Sequence, residues 1–328
     1  MKLTPEWQAL EVKWGQRPSL SGTVEDFRTG YDQLSLALEA QENTPADPSV
    51  HVRDEVLPSG LTIRIYVPEE VHERGQKLPI GVYAHAGGFT CGSLDNYGED
   101  RLCRYLVQHA PCVLASVDYR LAPEHPVPTQ LHDYLEGYDW VWEHAESLGG
   151  SKETVFAIGT SCGGGLALGV ALKYLEYGTM AERVKGIISL APTTIHPHHV
   201  PEGFKRHIKS WEENRDAPIL NYDSYINFTV INGTINEKKN PDVHPALHRR
   251  LGELPPTYIV TCGADLVRDD GTIVKAVLDH AGVPCKQDNY EALPHLFWLY
   301  PEIPEGAVFK ANTAAAVNWI MKAGSVRQ

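Results

Sequence analysis

Short apolar runs alternate with amphipathic stretches over most of this 328-residue chain. The runs have the length of buried strands, and the stretches between them repeat their apolar positions with helical spacing. Strands are predicted at residues 79–84, 112–117, 155–158, 184–190, 257–262 and 284–290, and helices at residues 99–109, 130–147, 163–177, 271–281 and 307–322. This alternation is typical of an α/β protein with a mostly parallel sheet covered by helices on both faces. Residues 61–67 alternate with period two, which predicts an antiparallel edge strand.

Two regions depart from this pattern and are predicted to form a helical cap. Residues 1–50 contain one helix that begins at Thr4-Pro5 and a second that Thr23 and Asp26 can cap. The apolar stripe of the second helix, interpreted as a packing surface, consists of Val24, Phe27, Tyr31, Leu34 and Leu38. Residues 44–49, with two prolines, are interpreted as a linker, and residues 195–242 as an insertion too long for a simple crossover. The α/β domain is then predicted at residues 51–194 and 243–328.

The sequence Gly159-Thr160-Ser161-Cys162-Gly163 joins a predicted strand to a predicted helix. In that context a G-x-S-x-G pattern predicts a nucleophile elbow, a strained turn that exposes the serine hydroxyl. The serine needs a base to take its proton and an acid to orient that base. Asp265 and His295 follow later strands, at the edge of the sheet where ligands bind. A lone aspartate there is more often a helix cap, but the order of the three residues predicts a catalytic triad.

A second glycine-rich turn, His85-Ala86-Gly87-Gly88-Phe89, follows the predicted strand at residues 79–84. In a serine hydrolase, backbone N–H groups must stabilise the negative oxygen of the tetrahedral intermediate. Gly87 and Gly88 can turn their N–H groups towards a bound carbonyl, and the residue after the nucleophile adds another donor. The sequence therefore predicts an oxyanion hole formed by Gly87, Gly88 and Cys162.

Aromatic and imidazole side chains near these motifs are candidates for substrate binding. His85 and Phe89 belong to the oxyanion loop, and Phe297 follows the histidine of the triad. In the insertion, Trp211 and Tyr225 are predicted to line an acyl or aromatic pocket, although the aromatic residues there could equally form a small core of the lid.

Three histidines, His196, His198 and His199, crowd together at the start of the insertion. A metal site is one interpretation of this cluster. Pro197 and the lack of nearby cysteine or paired carboxylates favour a polar lid loop instead, so no metal ligand is predicted.

Composition narrows the class of protein. The formal net charge is −13, and its acidic residues are spread along the chain, which argues against a nucleic-acid partner. The N-terminus lacks a signal-peptide pattern, and no apolar run reaches a membrane-spanning length, so we expect a cytoplasmic protein with no membrane partner. The 6 cysteines show neither a disulfide framework nor zinc-binding spacing, and they are interpreted as core residues in a reducing compartment.

Four motifs occur together in the α/β region. They are H-A-G-G-F-T-C-G-S from His85, D-Y-R-L-A-P-E-H-P-V-P from Asp118, G-T-S-C-G-G from Gly159, and D-L-V-R-D-D-G from Asp265 with P-H-L-F around His295. From residue 78 onwards, apart from the insertion, the chain resembles the hormone-sensitive-lipase-like branch of the α/β-hydrolase carboxylesterases. The resemblance implies an α/β-hydrolase fold, the triad and oxyanion donors named above, and a helical cap. It leaves the oligomeric state open, although homodimers through the last strand and helix are common in this branch. Within the branch, the chain is similar to fungal secondary-metabolism esterases.

Three residues depart from the pattern of that branch. Ala86 stands in place of the first glycine of the usual H-G-G-G, and Thr160 and Cys162 flank the serine where G-D-S-A-G is common. A carboxylate beside the nucleophile is therefore missing, and the residue after the serine is bulkier than alanine. These changes remove no catalytic group, but they leave the substrate preference open.

The sequence thus predicts a serine carboxylester hydrolase that acts on a small-molecule ester and needs no cofactor. A second hypothesis is a non-hydrolytic reaction on a polyketide-like intermediate, such as dehydration, cyclisation or condensation, because a base and an oxyanion hole would serve it equally well. A third is a ligand receptor, since plant hormone receptors resemble this branch but lack the catalytic histidine. The presence of His295 favours an enzyme over a receptor.

Overall fold

The computed structural model describes residues 1–42, 47–69 and 77–325. In this part of the chain, eight strands form one sheet in the order β1-β2-β4-β3-β5-β6-β7-β8. They are β1 Val50–Val56, β2 Thr62–Pro68, β3 Leu78–Ala84, β4 Val113–Val117, β5 Gly150–Thr160, β6 Ile187–Leu190, β7 Thr257–Cys262 and β8 Cys285–Tyr290. The pairs β1–β2 and β2–β4 are antiparallel, and the remaining neighbours pair parallel. The mostly parallel sheet predicted from the sequence is therefore confirmed.

Helices cover both faces of this sheet. The α-helices are α1 Pro5–Trp14, α2 Val24–Glu42, α3 Tyr97–His109, α4 Thr129–His144, α5 Cys162–Tyr177, α6 Met180–Arg183, α7 Glu202–Lys205, α8 Ser210–Glu213, α9 Tyr222–Ile231, α10 Arg268–His280 and α11 Glu305–Ser325. Helices α4, α5 and α10 pack on one face, and α3 and α11 on the other. Successive side chains of β5 alternate between the two faces, with Ala157 in one core and Phe156 in the other. Burial on both faces explains why this strand has a continuous apolar sequence.

Two predicted strands differ from the observed ones. The period-two strand is not the edge of the sheet, because β1 pairs outside β2 along its whole length. The strand predicted at residues 184–190 begins later, at Ile187, and the helix α6 precedes it. The N–H of Val184 donates to the Met180 carbonyl and closes that helix, and the next residue, Lys185, bonds to the Val155 carbonyl before regular pairing begins.

The N-terminal helices and the insertion contact each other beside the sheet. Thr23 and Asp26 form the predicted cap of α2, since the Thr23 N–H donates to the Asp26 carboxylate at 2.7 Å. The Phe27 ring of α2 lies 4.2 Å from the Phe228 ring of α9, measured between centroids. The Ile219 N–H donates to the Pro18 carbonyl at 2.7 Å, which ties the two segments through their backbones as well. Of the predicted linker at 44–49, residues 44–46 lie outside the described residues.

Among the described helices, none combines the length and the apolar character needed to cross a membrane. β8 pairs only with β7 in the described sheet and so forms its edge. A homodimer through this strand and α11 stays a hypothesis, which light scattering of the purified protein would test.

Candidate active site

Ser161 lies in the turn between β5 and α5 with φ 56° and ψ −120°. This backbone conformation is strained for a residue with a side chain, and such strain is typical of a nucleophile elbow. The Ser161 N–H donates to the Leu190 carbonyl at 2.7 Å, and the Ser161 carbonyl accepts the N–H groups of Gly165 and Thr193 at 3.2 Å each. These three bonds to α5, β6 and the loop after β6 hold the strained turn in place.

The two glycines of the G-x-S-x-G motif are required by close backbone contacts. A Cβ atom on Gly159 would lie 2.1 Å from the Gly163 carbonyl oxygen, and a Cβ atom on Gly163 would lie 2.1 Å from the Ala84 carbonyl oxygen. The strand, the elbow and the first turn of the helix can therefore approach each other only without these side chains.

The structure brings the three predicted triad residues together. His295 Nδ1 lies 2.6 Å from Asp265 Oδ2, and His295 Nε2 lies 2.9 Å from Ser161 Oγ. All three side chains are buried. The other carboxylate oxygen of Asp265 accepts the Val267 N–H at 3.1 Å, and Asn214 of the insertion donates to the Asp265 carbonyl at 2.8 Å. With a proton on Nδ1, the imidazole can accept the serine proton at Nε2, as general-base catalysis requires.

The predicted oxyanion loop lies beside the nucleophile and lines the same cavity. Gly87 and Gly88 have φ values of 123° and 59°, in the region that favours glycine. A Cβ atom on Gly87 would lie 1.9 Å from the Cys91 carbonyl oxygen, and one on Gly88 would lie 2.6 Å from the Phe228 ring. The Gly88 carbonyl accepts the Asn232 side-chain amide at 3.0 Å, so the insertion helps to hold the loop.

Cys162 places its side chain behind this loop. Its thiol lies 3.9 Å from the His85 carbonyl oxygen and 3.8 Å from the Tyr119 hydroxyl. Burial raises the pKa of this thiol to about 11, so the group stays protonated near neutral pH. Its backbone N–H, at the start of α5, lies at a helix N-terminus, where donors for an oxyanion are available.

A cavity of about 430 Å³ opens above Ser161 and His295. The sheet side contributes Gly87, Gly88, Phe89, Cys162, Thr193, Ile195, Val243, His244, Leu296, Leu299 and Tyr300 to its wall. The cap side contributes Gln16, Pro18, Ser19, Leu20, Gly30, Tyr31, Gln33, Leu34, Ile219, Leu220, Tyr225, Phe228, Thr229, Asn232 and Thr234. Among the described residues of this wall there is no aspartate, glutamate, lysine or arginine. The site is therefore a neutral, mainly apolar chamber with scattered hydroxyl and amide groups.

Two of the five predicted substrate-binding residues, Phe89 and Tyr225, lie on the cavity wall, and the other three do not. Phe297 is fully buried in the core, packed against Tyr290 and Phe309, because the left-handed turn at Leu296 directs Leu296 rather than Phe297 to the cavity.

Trp211 and His85 are also placed away from the cavity. The Trp211 ring packs on Tyr225 at 5.6 Å within the small core of the cap. The His85 ring stacks on Tyr119 at 4.1 Å behind the oxyanion loop. Both rings support the residues that form the wall but are separated from the cavity by them.

Several wall residues were not identified from the sequence. Tyr31 and Leu34 belong to the stripe interpreted as packing surface, and the structure shows that the same stripe also faces the cavity. His244 belongs to no recognisable motif, and Asn232 stands in an N-x-T sequence that gives no indication of a position on the cavity wall. No pattern along the chain marks these residues, because their direction depends on how the cap seats on the sheet.

The three crowded histidines lie together with His244 at one side of the cap. His199 Nδ1 is 3.3 Å from His244 Nε2, and His196 Nε2 is 3.2 Å from the Thr229 hydroxyl. Burial lowers the pKa of His196 to about 3 and that of His244 to about 4, which keeps both rings neutral. Within the described ranges, no group of three His, Cys, Asp or Glu side chains is arranged to hold a metal ion.

Comparison with known proteins identifies the class to which this geometry belongs. A family model described as "alpha/beta hydrolase fold" matches residues 81–299. The chain is 35% identical over 323 residues to versiconal hemiacetal acetate esterase of Dothistroma septosporum, covering 96% of this chain and 94% of that protein. The resemblance to carboxylesterases, and to fungal esterases of that kind, is thus confirmed at the level of sequence.

Solved structures agree with the fold. An esterase of Pyrobaculum calidifontis superposes with a TM-score of 0.82 at 27% identity, covering 97% of this chain and 99% of that one. Vibralactone cyclase superposes with a TM-score of 0.90 at 26% identity, covering 98% and 96%. The first of these structures is named an esterase and the second a cyclase, so proteins with the same fold are named for two kinds of reaction.

Proposed function

This chain belongs to the α/β-hydrolase family, as a carboxylesterase-type enzyme, and from that premise we propose that it hydrolyses a neutral ester through an acyl-enzyme on Ser161. The observation that carries the proposal is the hydrogen-bonded series Ser161 Oγ, His295 and Asp265, with both donor–acceptor distances below 3 Å. A receptor would need no such arrangement, and relatives of this chain that are named esterases also favour an enzyme over a receptor.

Each step of the reaction follows from the positions of the side chains. Ser161 Oγ attacks the ester carbonyl while His295 Nε2 takes its proton, and Asp265 stabilises the imidazolium that forms. The N–H groups of Gly87, Gly88 and Cys162 receive the negative oxygen of the tetrahedral intermediate. His295 then protonates the leaving alcohol, which yields the acyl-enzyme. A water molecule, deprotonated by His295, attacks the acyl carbon, and the carboxylic acid leaves as Ser161 recovers its proton.

The wall of the cavity supports a neutral substrate of moderate size. A carboxylate, phosphate or ammonium group on the substrate would lose its water shell without gaining a charged partner on the described wall, at a cost of several kcal/mol. Aromatic rings from both the sheet and the cap, such as Phe89 and Tyr225, favour a flat apolar group. Similarity to a fungal versiconal hemiacetal acetate esterase supports a substrate from secondary metabolism.

Ser161→Ala tests this mechanism. We expect kcat on a p-nitrophenyl ester to fall on the order of 10⁶-fold, because a triad acts as a unit. Intact mass of the wild-type protein, quenched during turnover, should show a mass increase equal to the acyl group less the hydrogen that it replaces on Ser161. A Ser161→Ala variant that keeps ester hydrolysis within tenfold of wild type would contradict the mechanism.

The second hypothesis is that an internal hydroxyl of the substrate, rather than water, attacks the acyl carbon. This transfer breaks the Ser161 ester bond, forms a lactone and returns the proton to Ser161 through His295. The high TM-score to vibralactone cyclase favours it. Both reactions would be lost in Ser161→Ala, so the test is the product formed in ¹⁸O-labelled water, since only hydrolysis places the label in the acid. A cyclisation activity that remains in Ser161→Ala would show that the reaction does not pass through an acyl-enzyme on Ser161.

A further inference from the structure

Glu99 is a buried carboxyl group that the triad mechanism does not use. It lies in the first turn of α3 with 6% of its surface exposed. One of its oxygens accepts the Ala86 N–H of the oxyanion loop at 3.3 Å, and the other accepts the Tyr83 hydroxyl of β3. The Tyr31 hydroxyl of the cap helix α2 is a third donor. A single side chain thus contacts the sheet, the oxyanion loop and the cap.

A carboxyl group at this position costs stability. Burial raises the pKa of Glu99 to about 7, and the hydrogen bonds from Tyr83, Ala86 and Tyr31 only partly oppose that rise. These donors are all neutral, and a buried carboxylate without a cation is unfavourable compared with an apolar or amide side chain of similar volume. The cost points to a role for Glu99 beyond the filling of space.

Glu99 is also connected to the nucleophile elbow. The Tyr83 hydroxyl lies 2.7 Å from the Thr160 hydroxyl. Because a tyrosine hydroxyl carries a single proton, Tyr83 donates to Glu99 and accepts from Thr160. Thr160 directly precedes Ser161 and stands where related esterases commonly have an acidic residue. In this chain a carboxylate reaches the same side of the elbow from α3, through Tyr83.

The oxyanion loop is held by residues of the cap as well as by Glu99. Arg28 of α2 donates to the Thr90 carbonyl at 3.0 Å, three residues before the end of the motif that begins at His85. Asn232, which follows α9, donates to the Gly88 carbonyl at 3.0 Å. Tyr31 belongs both to the cavity wall and to the group of donors around Glu99. The alignment of the loop therefore depends on contacts with both cap segments.

We propose that Glu99 is a positioning residue that aligns the oxyanion N–H groups with Ser161 and makes this alignment depend on Tyr31 of the cap. The proposal rests on the ester chemistry of Ser161 described above. By accepting the Ala86 N–H, Glu99 orients the peptide that leads into Gly87, whose own N–H must point at the oxyanion. Through Tyr83 and Thr160 it holds the elbow in register with the same loop.

Glu99→Gln is the primary test. An amide keeps the size of the side chain but presents an N–H group to one of the three donors, so one hydrogen bond is lost and the loop shifts. We expect kcat to fall about 10-fold to 100-fold, below the 10²–10³ typical of a removed oxyanion donor, with KM within about threefold of wild type. Asp100→Asn is the matched control. Asp100 is the next residue of α3 and bonds to Tyr66 and Arg104, so its kcat should stay within about twofold.

A double variant separates positioning from general loss of packing. Tyr31→Phe removes the donor from the cap and should lower kcat about 3-fold to 10-fold. Combined with Glu99→Gln it should cause no further fall in kcat, because both changes interrupt the same hydrogen-bonded group. Independent effects that multiply in the double variant would overturn the proposed coupling.

The labelling rate of Ser161 by a fluorophosphonate probe provides a readout that does not require hydrolysis. Wild-type protein that labels but does not hydrolyse esters would overturn the proposed function and leave the role of Glu99 testable through the labelling rates. A folded Glu99→Gln protein that labels at the wild-type rate would overturn the role of Glu99. Should that variant fail to fold, Thr160→Val decides: slower labelling at unchanged melting temperature supports the proposal, and an unchanged rate overturns it.

Discussion

The edge of the sheet forms one wall of the cavity and the cap forms the opposite wall. Each wall is stabilised by a different kind of interaction. Ser161, Asp265 and His295 stand in turns after β5, β7 and β8, and backbone hydrogen bonds fix the turn at the serine. The two cap segments share backbone hydrogen bonds at Ile219, but the helices α2 and α9 contact each other through packed side chains, such as Phe27 on Phe228. The comparison suggests that the chemistry depends on the rigid edge, whereas the choice of substrate depends on the packing of the cap.

The oxyanion loop lies where the two regions meet. Its backbone belongs to the sheet side, but Phe228 packs against Gly88 and Asn232 donates to the carbonyl of the same residue. A change confined to this contact should therefore affect the rate of the chemical step, even though it comes from the cap.

Among the variants that test this comparison, Gly88→Ala should cause the largest change, a loss of kcat. Its Cβ atom would lie 2.6 Å from the Phe228 ring at a positive φ, so the loop or the ring must shift and the alignment of the oxyanion N–H groups is disturbed. We expect kcat to fall by about 10²–10³, measured on a p-nitrophenyl ester. Gly30→Ala is the matched control, because Gly30 also lines the cavity but its Cβ atom would meet nothing within 4 Å.

A second variant identifies the cause of that loss. If the cap ring is responsible, Gly88→Ala combined with Phe228→Ala should regain part of the lost kcat. If the positive φ alone is responsible, the double variant should be no faster than Gly88→Ala. A single Gly88→Ala variant within threefold of wild-type kcat would show that the loop does not depend on this contact.

Phe228→Ala and Phe297→Ala form the next comparison. Both rings are buried, so each variant should lose about 3–5 kcal/mol of unfolding free energy, measured by urea titration. Only Phe228 faces the cavity, so only its variant should change the ratio of kcat/KM for bulky and short acyl esters, by roughly tenfold. A similar change in Phe297→Ala would indicate that Phe297 contacts the substrate, as the sequence predicted.

Asp270→Asn should cause the smallest change, a shift in thermal stability. This variant tests how the cap is anchored to the sheet. Asp270 accepts the Thr194 and Ile195 N–H groups at 2.6 and 3.0 Å, where the chain leaves β6 for the insertion. Burial raises the pKa of Asp270 to about 8, well above the value of 3.8 that is ordinary for an aspartate. The folded protein therefore binds a proton that the unfolded chain releases, and the stability contributed by this group falls as pH rises from about 4 to 8.

The measurement is the melting temperature at pH 5.5 and pH 8.5. Asn accepts the same two N–H groups without a charge, so Asp270→Asn should gain a few degrees relative to wild type between the two pH values. Asp279→Asn, at the surface of the same helix and paired with Lys275, should differ from wild type equally at both. An equal difference for Asp270→Asn would show that this carboxyl group does not titrate in that range.

The sheet and the triad could be predicted because their signals are local. A strand buried on both faces has a continuous apolar sequence, and the elbow demands glycine at positions 159 and 163. Asp265 and His295 were found from their residue type and from their place after later strands. In each case a few neighbouring residues contain the physical requirement.

The substrate wall could be predicted only in part. Phe297 adjoins His295 in the sequence, yet the left-handed turn at Leu296 sends Phe297 into the core. Trp211 and Tyr225 are alike in type and segment, but only Tyr225 reaches the cavity. Glu99 gave no signal at all, because a glutamate in the first turn of a helix is expected to be a solvent-exposed partner of the helix dipole.

The sequence by itself determined the reacting groups, since strand ends, glycine spacing and residue chemistry restrict them to a few positions. The tertiary structure decided which side chains surround those groups. Contacts between residues that are far apart in the sequence, such as Tyr31 with Glu99 and Asn232 with Gly88, determine which side chains face the cavity and how the oxyanion loop is aligned. These contacts depend on how the cap packs on the sheet, and no single stretch of sequence contains that information.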